Sequence, residues 1–154
     1  RVLLAGNHTS NFDAPLLISA TKRNVHFLAK KELWDGPKRI IFANMGLIPV
    51  DRKNKDGNAL IMAERYLKNE KLVGIFPEGT TEKTGEMLKF KKGAVKMAMD
   101  TDSPIVPFVI TGKYKLFSKD LTIKFLKPIK CNGDIKEETD RLMNIIKKER
   151  ENLR

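Results

Sequence analysis

A chain of 154 residues with 41% apolar and 32% charged side chains carries enough apolar material for one domain with a core, and excludes a disordered segment. Thirty Lys and Arg against nineteen Asp and Glu leave a net charge of +11, which attracts anionic membrane, phosphorylated substrates and nucleic acid alike. Aromatic residues make up only 7% and do not interleave with the basic ones, so a base-stacking surface for single-stranded nucleic acid is not expected.

Short apolar runs alternate with amphipathic stretches, the pattern of an α/β domain without repeats. Val2 to Gly6 reads as a buried strand, and Asp13-Ala14-Pro15 as a helix start, with Asp as the cap and Pro in the first turn. Val25 to Ala29 is the next strand, residues 37–45 a short helix, and Leu47 to Val50 a short strand. Residues 57–69 carry Leu60, Ala63 and Leu67 at helical spacing. Leu72 to Phe76 is a strand ended by Pro77. Residues 91–100 are helical, with Ala94, Val95 and Ala98 on one face. Ile105 to Ile110 and Leu121 to Phe125 are strands. Proline cannot donate to a ladder, so Pro107 predicts that its strand is at an edge or bulged. Asp134 caps a last helix whose Leu142, Ile145, Ile146 and Leu153 face inward.

The lone cysteine, Cys131, excludes an intrachain disulfide and reads as a passive, partly buried thiol. It and two distant histidines make no metal-ligand set. No apolar run approaches the roughly 20 residues that cross a bilayer. The chain opens at Arg1, immediately inside a strand-like run, so a further N-terminal segment is expected to precede it.

Four segments could carry chemistry. In the first, Asn7-His8-Thr9-Ser10-Asn11-Phe12-Asp13, a histidine stands between a strand and a helix. Asp13 can fold back to orient the imidazole, which then accepts a proton from a hydroxyl. The blander alternative is a capping Asp13 and a packing His8. In Gly46-Leu47-Ile48-Pro49-Val50-Asp51-Arg52, a strand ends in an arginine whose planar fork suits phosphate oxygens, or simply pairs with Asp51. Phe76-Pro77-Glu78-Gly79-Thr80 again follows a strand, where parallel sheets gather ligands, though Pro and Gly also end strands without function. The fourth is the Ile105-Val106-Pro107-Phe108 strand. Lys30 and Lys31 follow a strand, and Lys89, Lys91 and Lys92 follow the Glu78 loop; most read as solvated surface charges, and those beside strand ends could contact a phosphate.

In this order the four segments resemble the PlsC-type acyltransferase family, typified by 1-acylglycerol-3-phosphate acyltransferases, from about residue 2 to 126. Asn7, His8 and Asp13 match its first motif; Gly46, Asp51 and Arg52 its second; Phe76 to Thr80 its third, followed by Phe90 to Ala94; Val106 and Pro107 its fourth. The resemblance implies one catalytic domain over 1–154, with a mixed, mostly parallel sheet flanked by helices. It implies acyl transfer from acyl-CoA or acyl carrier protein to the sn-2 hydroxyl of 1-acylglycerol-3-phosphate, giving phosphatidic acid, without a cofactor. His8 is then the general base, steered by Asp13, and attack on the thioester is direct. Arg52 binds the phosphate; Asn7, Lys30, Glu78, Gly79 and Thr80 contact substrate; Val106 and Pro107 support the acyl-donor side. An oxyanion hole is required physically, and backbone amides near Gly79 are the expected donors.

Two departures bear on the acceptor. Thr81 stands where the family carries Arg or Ser, so Lys30, Lys83 or a lysine of 89–92 substitutes, or the acceptor is another lysolipid or glycerol-3-phosphate. Pro49 stands where an aromatic is frequent. The expected partners are a lysophospholipid and an anionic membrane surface rather than nucleic acid, with the protein peripheral or anchored at the cytoplasmic face. The rival readings are a non-catalytic basic domain and thioester hydrolysis.

Overall fold

The structure is a computed structural model and describes residues 1–34, 40, 46–50, 58–81, 84–114 and 120–153. The helix expected over 37–45 lies outside the described residues, apart from Ile40.

Six strands form one sheet in the order β3-β2-β4-β1-β5-β6. They are β1 (Val2–Gly6), β2 (Val25–Lys30), β3 (Ile48–Val50), β4 (Leu72–Ile75), β5 (Ile105–Thr111) and β6 (Thr122–Phe125). The first five run parallel; β6 is antiparallel to β5. The central strands read as unbroken apolar runs because both faces of the sheet are covered.

On one face pack α2 (Asn58–Lys68), α3 (Gly93–Asp100) and α4 (Ile135–Asn152), whose Ala63, Leu67, Ala94, Val95, Ala98, Leu142 and Ile146 meet Leu3, Ala5, Val73, Ile105 and Val109. On the other lies α1 (Asp13–Ala20), whose Leu17 joins Leu4, Val25, Phe27, Phe108 and Ile110. Gly74 leaves room for the Phe27 ring, which a Cβ there would meet at 2.3 Å. Asp134 caps α4 as expected, its carboxylate accepting from the Lys136 and Glu137 amides. Cys131 is buried, and burial pushes its thiol up, which suits a passive thiol.

Two expectations are corrected. β5 is an interior strand, with β1 on one side and β6 on the other. Proline is tolerated because Pro107 faces the end of β6: its carbonyl accepts from the Leu126 amide at 2.8 Å, and no return bond is needed. The irregularity falls in the neighbouring segment, because Ile105 pairs with Ile129, one residue beyond the β6 register. The second concerns α1. Asp13 is inside the helix rather than its cap; Phe12 holds that position without a side-chain bond. The Asp13 carboxylate turns back onto the loop before it.

Register builds the site. Ala5 of β1 lies beside Ile75 of β4, so the residues three beyond each, His8 and Glu78, emerge on one rung at the carboxyl edge of the sheet.

Candidate active site

Asp13 is fully buried, and a bare carboxylate there would cost several kcal/mol. The loop after β1 offsets this with hydrogen bonds. Oδ2 accepts from the Thr9 amide at 2.6 Å, the Ser10 amide at 2.9 Å and His8 Nδ1 at 2.9 Å. Oδ1 accepts from the Thr9 hydroxyl at 3.2 Å and the Tyr114 hydroxyl at 2.5 Å. Burial alone raises the carboxyl, but the bonds from His8, Tyr114, Ser10 and Thr9 outweigh it and hold Asp13 below its ordinary value. An ionised Asp13 accepts only, so Nδ1 of His8 carries the proton and Nε2 presents its lone pair.

The imidazole stacks on Phe76, with centroids 4.1 Å apart and planes 13° from parallel, and Phe76 stacks in turn on Phe27. About a sixth of the His8 side chain, 17%, is open to solvent, enough for a ligand to reach a ring otherwise fixed on two sides.

Glu78 is buried, and both its oxygens are engaged: Oε1 by the His8 amide at 2.8 Å, Oε2 by the Leu88 amide at 2.7 Å. Burial pushes its carboxyl above the ordinary carboxylate value, against those bonds and the more distant charge of Arg150. Glu78 thus ties the loops after β1 and β4 to the 84–90 segment. Asn7 is also fully buried. Its amide donates to the Ile110 carbonyl at 2.9 Å and accepts from the Ile110 amide at 2.8 Å, extending the β1–β5 ladder where β1 ends.

Gly79 sits at φ +73°, where a side chain is strained, and the Lys91 ammonium lies 2.6 Å from where its Cβ would be. Its own amide donates to the Phe76 carbonyl at 3.0 Å, so that amide closes the turn and is not available as an oxyanion-hole donor. Thr80 is exposed beside it. Val106 and Pro107 lie on β5, beside Leu4 and Ala5 of β1. Arg52, Asp51 and Lys83, and the side chain of Lys30, lie outside the described residues. Among the described residues, no group of three or more His, Cys, Asp or Glu could hold a metal ion.

The sequence signals thus converge at one edge: His8, Asp13, Glu78, Gly79 and Lys91 are linked by direct contacts, with Asn7 bracing the strand beneath. Thr9, Ser10 and Tyr114 were not singled out from sequence. The first two are loop donors adjacent to the motif. Tyr114 follows Gly112 at the end of β5, and only the adjacency of β5 to β1 brings it to Asp13.

Known proteins resemble this chain in sequence and in fold. The Acyltransferase family profile matches residues 1–111. The chain is 30% identical over 161 residues to the 1-acyl-sn-glycerol-3-phosphate acyltransferase of Cocos nucifera, covering 95% of this chain and 51% of that protein. It is 32% identical over 123 residues to the enzyme of the same name from Borreliella burgdorferi, covering 78% and 49%. The crystal structure of the 1-acyl-sn-glycerophosphate acyltransferase PlsC from Thermotoga maritima superposes with a TM-score of 0.83 at 27% identity, over 99% of this chain and 66% of that one. The chain spans about half the length of the curated relatives it matches. With the profile over most of its length and the fold in common, the chain belongs to the acyltransferase family of PlsC type.

Proposed function

We propose that this domain transfers a fatty acyl group from acyl-CoA or acyl carrier protein to the sn-2 hydroxyl of 1-acylglycerol-3-phosphate, giving phosphatidic acid. The observation that carries the reading is the 2.9 Å bond from His8 Nδ1 to a buried, ionised Asp13, which leaves Nε2 basic at a strand end. The names of the relatives supply the acceptor.

In this reading Nε2 takes the proton of the acceptor hydroxyl as its oxygen attacks the thioester carbonyl. Asp13 stabilises the resulting imidazolium. The tetrahedral intermediate collapses by breaking the C–S bond, and the imidazolium returns the proton to the leaving thiolate. No acyl-enzyme forms. Arg52 binds the acceptor phosphate. Of the lysines near strand ends, Lys91 has the strongest support as its helper, because its ammonium lies against Gly79 and no acid pairs with it among the described residues. Glu78 and Asn7 organise the loops, each polar side-chain atom holding a backbone group.

Among the described residues, no helix is long and apolar enough to cross a membrane. We propose that the +11 charge holds the domain to anionic lipid, each nearby Lys or Arg contributing about 1 kcal/mol. The deciding assay gives purified protein a panel of lysolipids and glycerol-3-phosphate, with acyl-CoA or acyl carrier protein, and reads products by mass. Phosphatidic acid from 1-acylglycerol-3-phosphate is expected. Fatty acid release indifferent to added lysolipid would instead identify a thioesterase. Flotation with liposomes is expected to strengthen with anionic lipid content; binding that ignores it overturns the membrane reading.

A further inference from the structure

We infer that Tyr114 is a positioning residue for acyl transfer, completing a relay in which its hydroxyl holds Asp13 and Asp13 holds His8. The inference rests on the reading of His8 as the general base.

The two oxygens of Asp13 are unequally served. Oδ2 takes the imidazole and two backbone amides, all from the loop of residues 8–10. Oδ1 has only the Thr9 hydroxyl at 3.2 Å and the Tyr114 hydroxyl at 2.5 Å. Tyr114 therefore supplies the shorter bond on that side and, among the described residues, the one hydrogen bond to the Asp13 carboxylate from outside residues 8–10. It pins the carboxylate against rotation about its Cβ–Cγ bond, and so fixes the oxygen that faces Nδ1. The tyrosine is itself held: its ring packs at 5.9 Å on Phe12, the residue before Asp13.

The chemistry needs a donor that cannot compete for the proton. When His8 becomes an imidazolium, Asp13 must stay ionised. Burial first, and then the bond to Asp13 and its charge, push the Tyr114 phenol upward, so it only donates. Among the described residues, the titratable groups bonded to Asp13 are His8 and Tyr114; the rest of α1 brings none, and the remaining donors are Thr9 and Ser10. Removing the phenol leaves more charge on the oxygen that faces the imidazole. The carboxylate then pulls harder on the Nδ1 proton.

The test is Tyr114→Phe in the whole protein, which keeps the ring and removes the hydroxyl. The expected result is a kcat about tenfold lower, the scale of one bond to a charged group. KM for the acceptor stays close to wild type, and the acid limb of the kcat profile moves to higher pH. The low-field Nδ1–H resonance of His8 shifts in a proton NMR spectrum. Thr9→Val, which removes the weaker donor on the same oxygen, moves the profile the same way but less. If His8→Ala is inactive while Tyr114→Phe keeps the wild-type rate, pH profile and resonance, the relay is overturned and the base assignment stands. If His8→Ala still transfers acyl groups, the reading beneath the relay fails, and the relay with it.

Discussion

The chain holds two histidines in similar restraints, and they differ in one respect that decides their chemistry. His26, on β2, has Nδ1 bonded to the Gly46 carbonyl at 2.8 Å and its ring against Tyr66 of α2, on the three-helix side of the sheet. His8 has Nδ1 bonded to Asp13 and its ring against Phe76, at the carboxyl edge. Both partners fix the same tautomer, a proton on Nδ1 and a lone pair on Nε2. Of the two partners only the carboxylate carries a charge, and a charge there stabilises an imidazolium formed during proton transfer. A scarce residue in a held geometry is not yet a base; the anionic partner makes the difference.

The largest effect that sharpens this contrast is expected from His8→Ala. Acyl transfer should fall about 10⁴-fold with the fold intact, while His26→Ala stays within a few-fold of wild type. Single-turnover assays and circular dichroism of both variants make the comparison. Equal losses in the two would erase the distinction drawn here.

Asp13→Asn turns the charged partner of His8 into a neutral one, more like that of His26. Activity is expected to fall about 10³-fold through loss of the charge and of the fixed tautomer. The same variant reports on acid stability. The folded-state value of Asp13 is depressed, so its stabilisation is present above its ordinary value and lost as pH falls through the folded one. Below about pH 5, wild type should therefore lose stability faster than Asp13→Asn, in urea melts taken across the acid range. Glu78 has the opposite sign. Its value is raised, so its contribution is present at low pH and lost as pH rises through the folded value.

Glu78→Gln tests the frame that holds His8 and has no counterpart at His26. One end of the amide must present an NH₂ to a backbone N–H, either that of His8 or that of Leu88. A stability loss of about 2 kcal/mol is expected from the unsatisfied donor, with a fall in kcat larger than the change in KM. The smallest effect belongs to His26→Phe. It leaves the Gly46 carbonyl without its donor and should cost about 1 kcal/mol in thermal melts, with the pH profile unchanged.

The strands were legible to within a residue or so, because apolar runs bounded by Pro, Gly and charged residues mark them directly. Leu72 to Phe76 was expected and Leu72–Ile75 is observed; Ile105 to Ile110 was expected and Ile105–Thr111 is observed. Helix faces followed from spacing, as at Leu60, Ala63 and Leu67. Pro107 alone points β5 to an edge or a bulge, because the sequence does not show which neighbour its missing N–H faces. A missing N–H matters only toward the neighbour it faces, and there β6 has already ended. Likewise Asp13 has the composition of a cap, but its carboxylate is taken by the donors of residues 8–10 before the helix amides can compete.

The sequence by itself determined what short-range geometry controls: the alternation of strand and helix, and the return of a carboxylate onto an imidazole five residues away across one tight loop. Only the tertiary structure decided which distant groups complete the site. Glu78 reaches the His8 amide, Lys91 lies over Gly79, and Tyr114 meets Asp13 across 101 positions of chain, because β4, β1 and β5 are neighbours. Strand order is settled by covering both faces of the sheet at once, a balance over the whole core that no local stretch of residues contains.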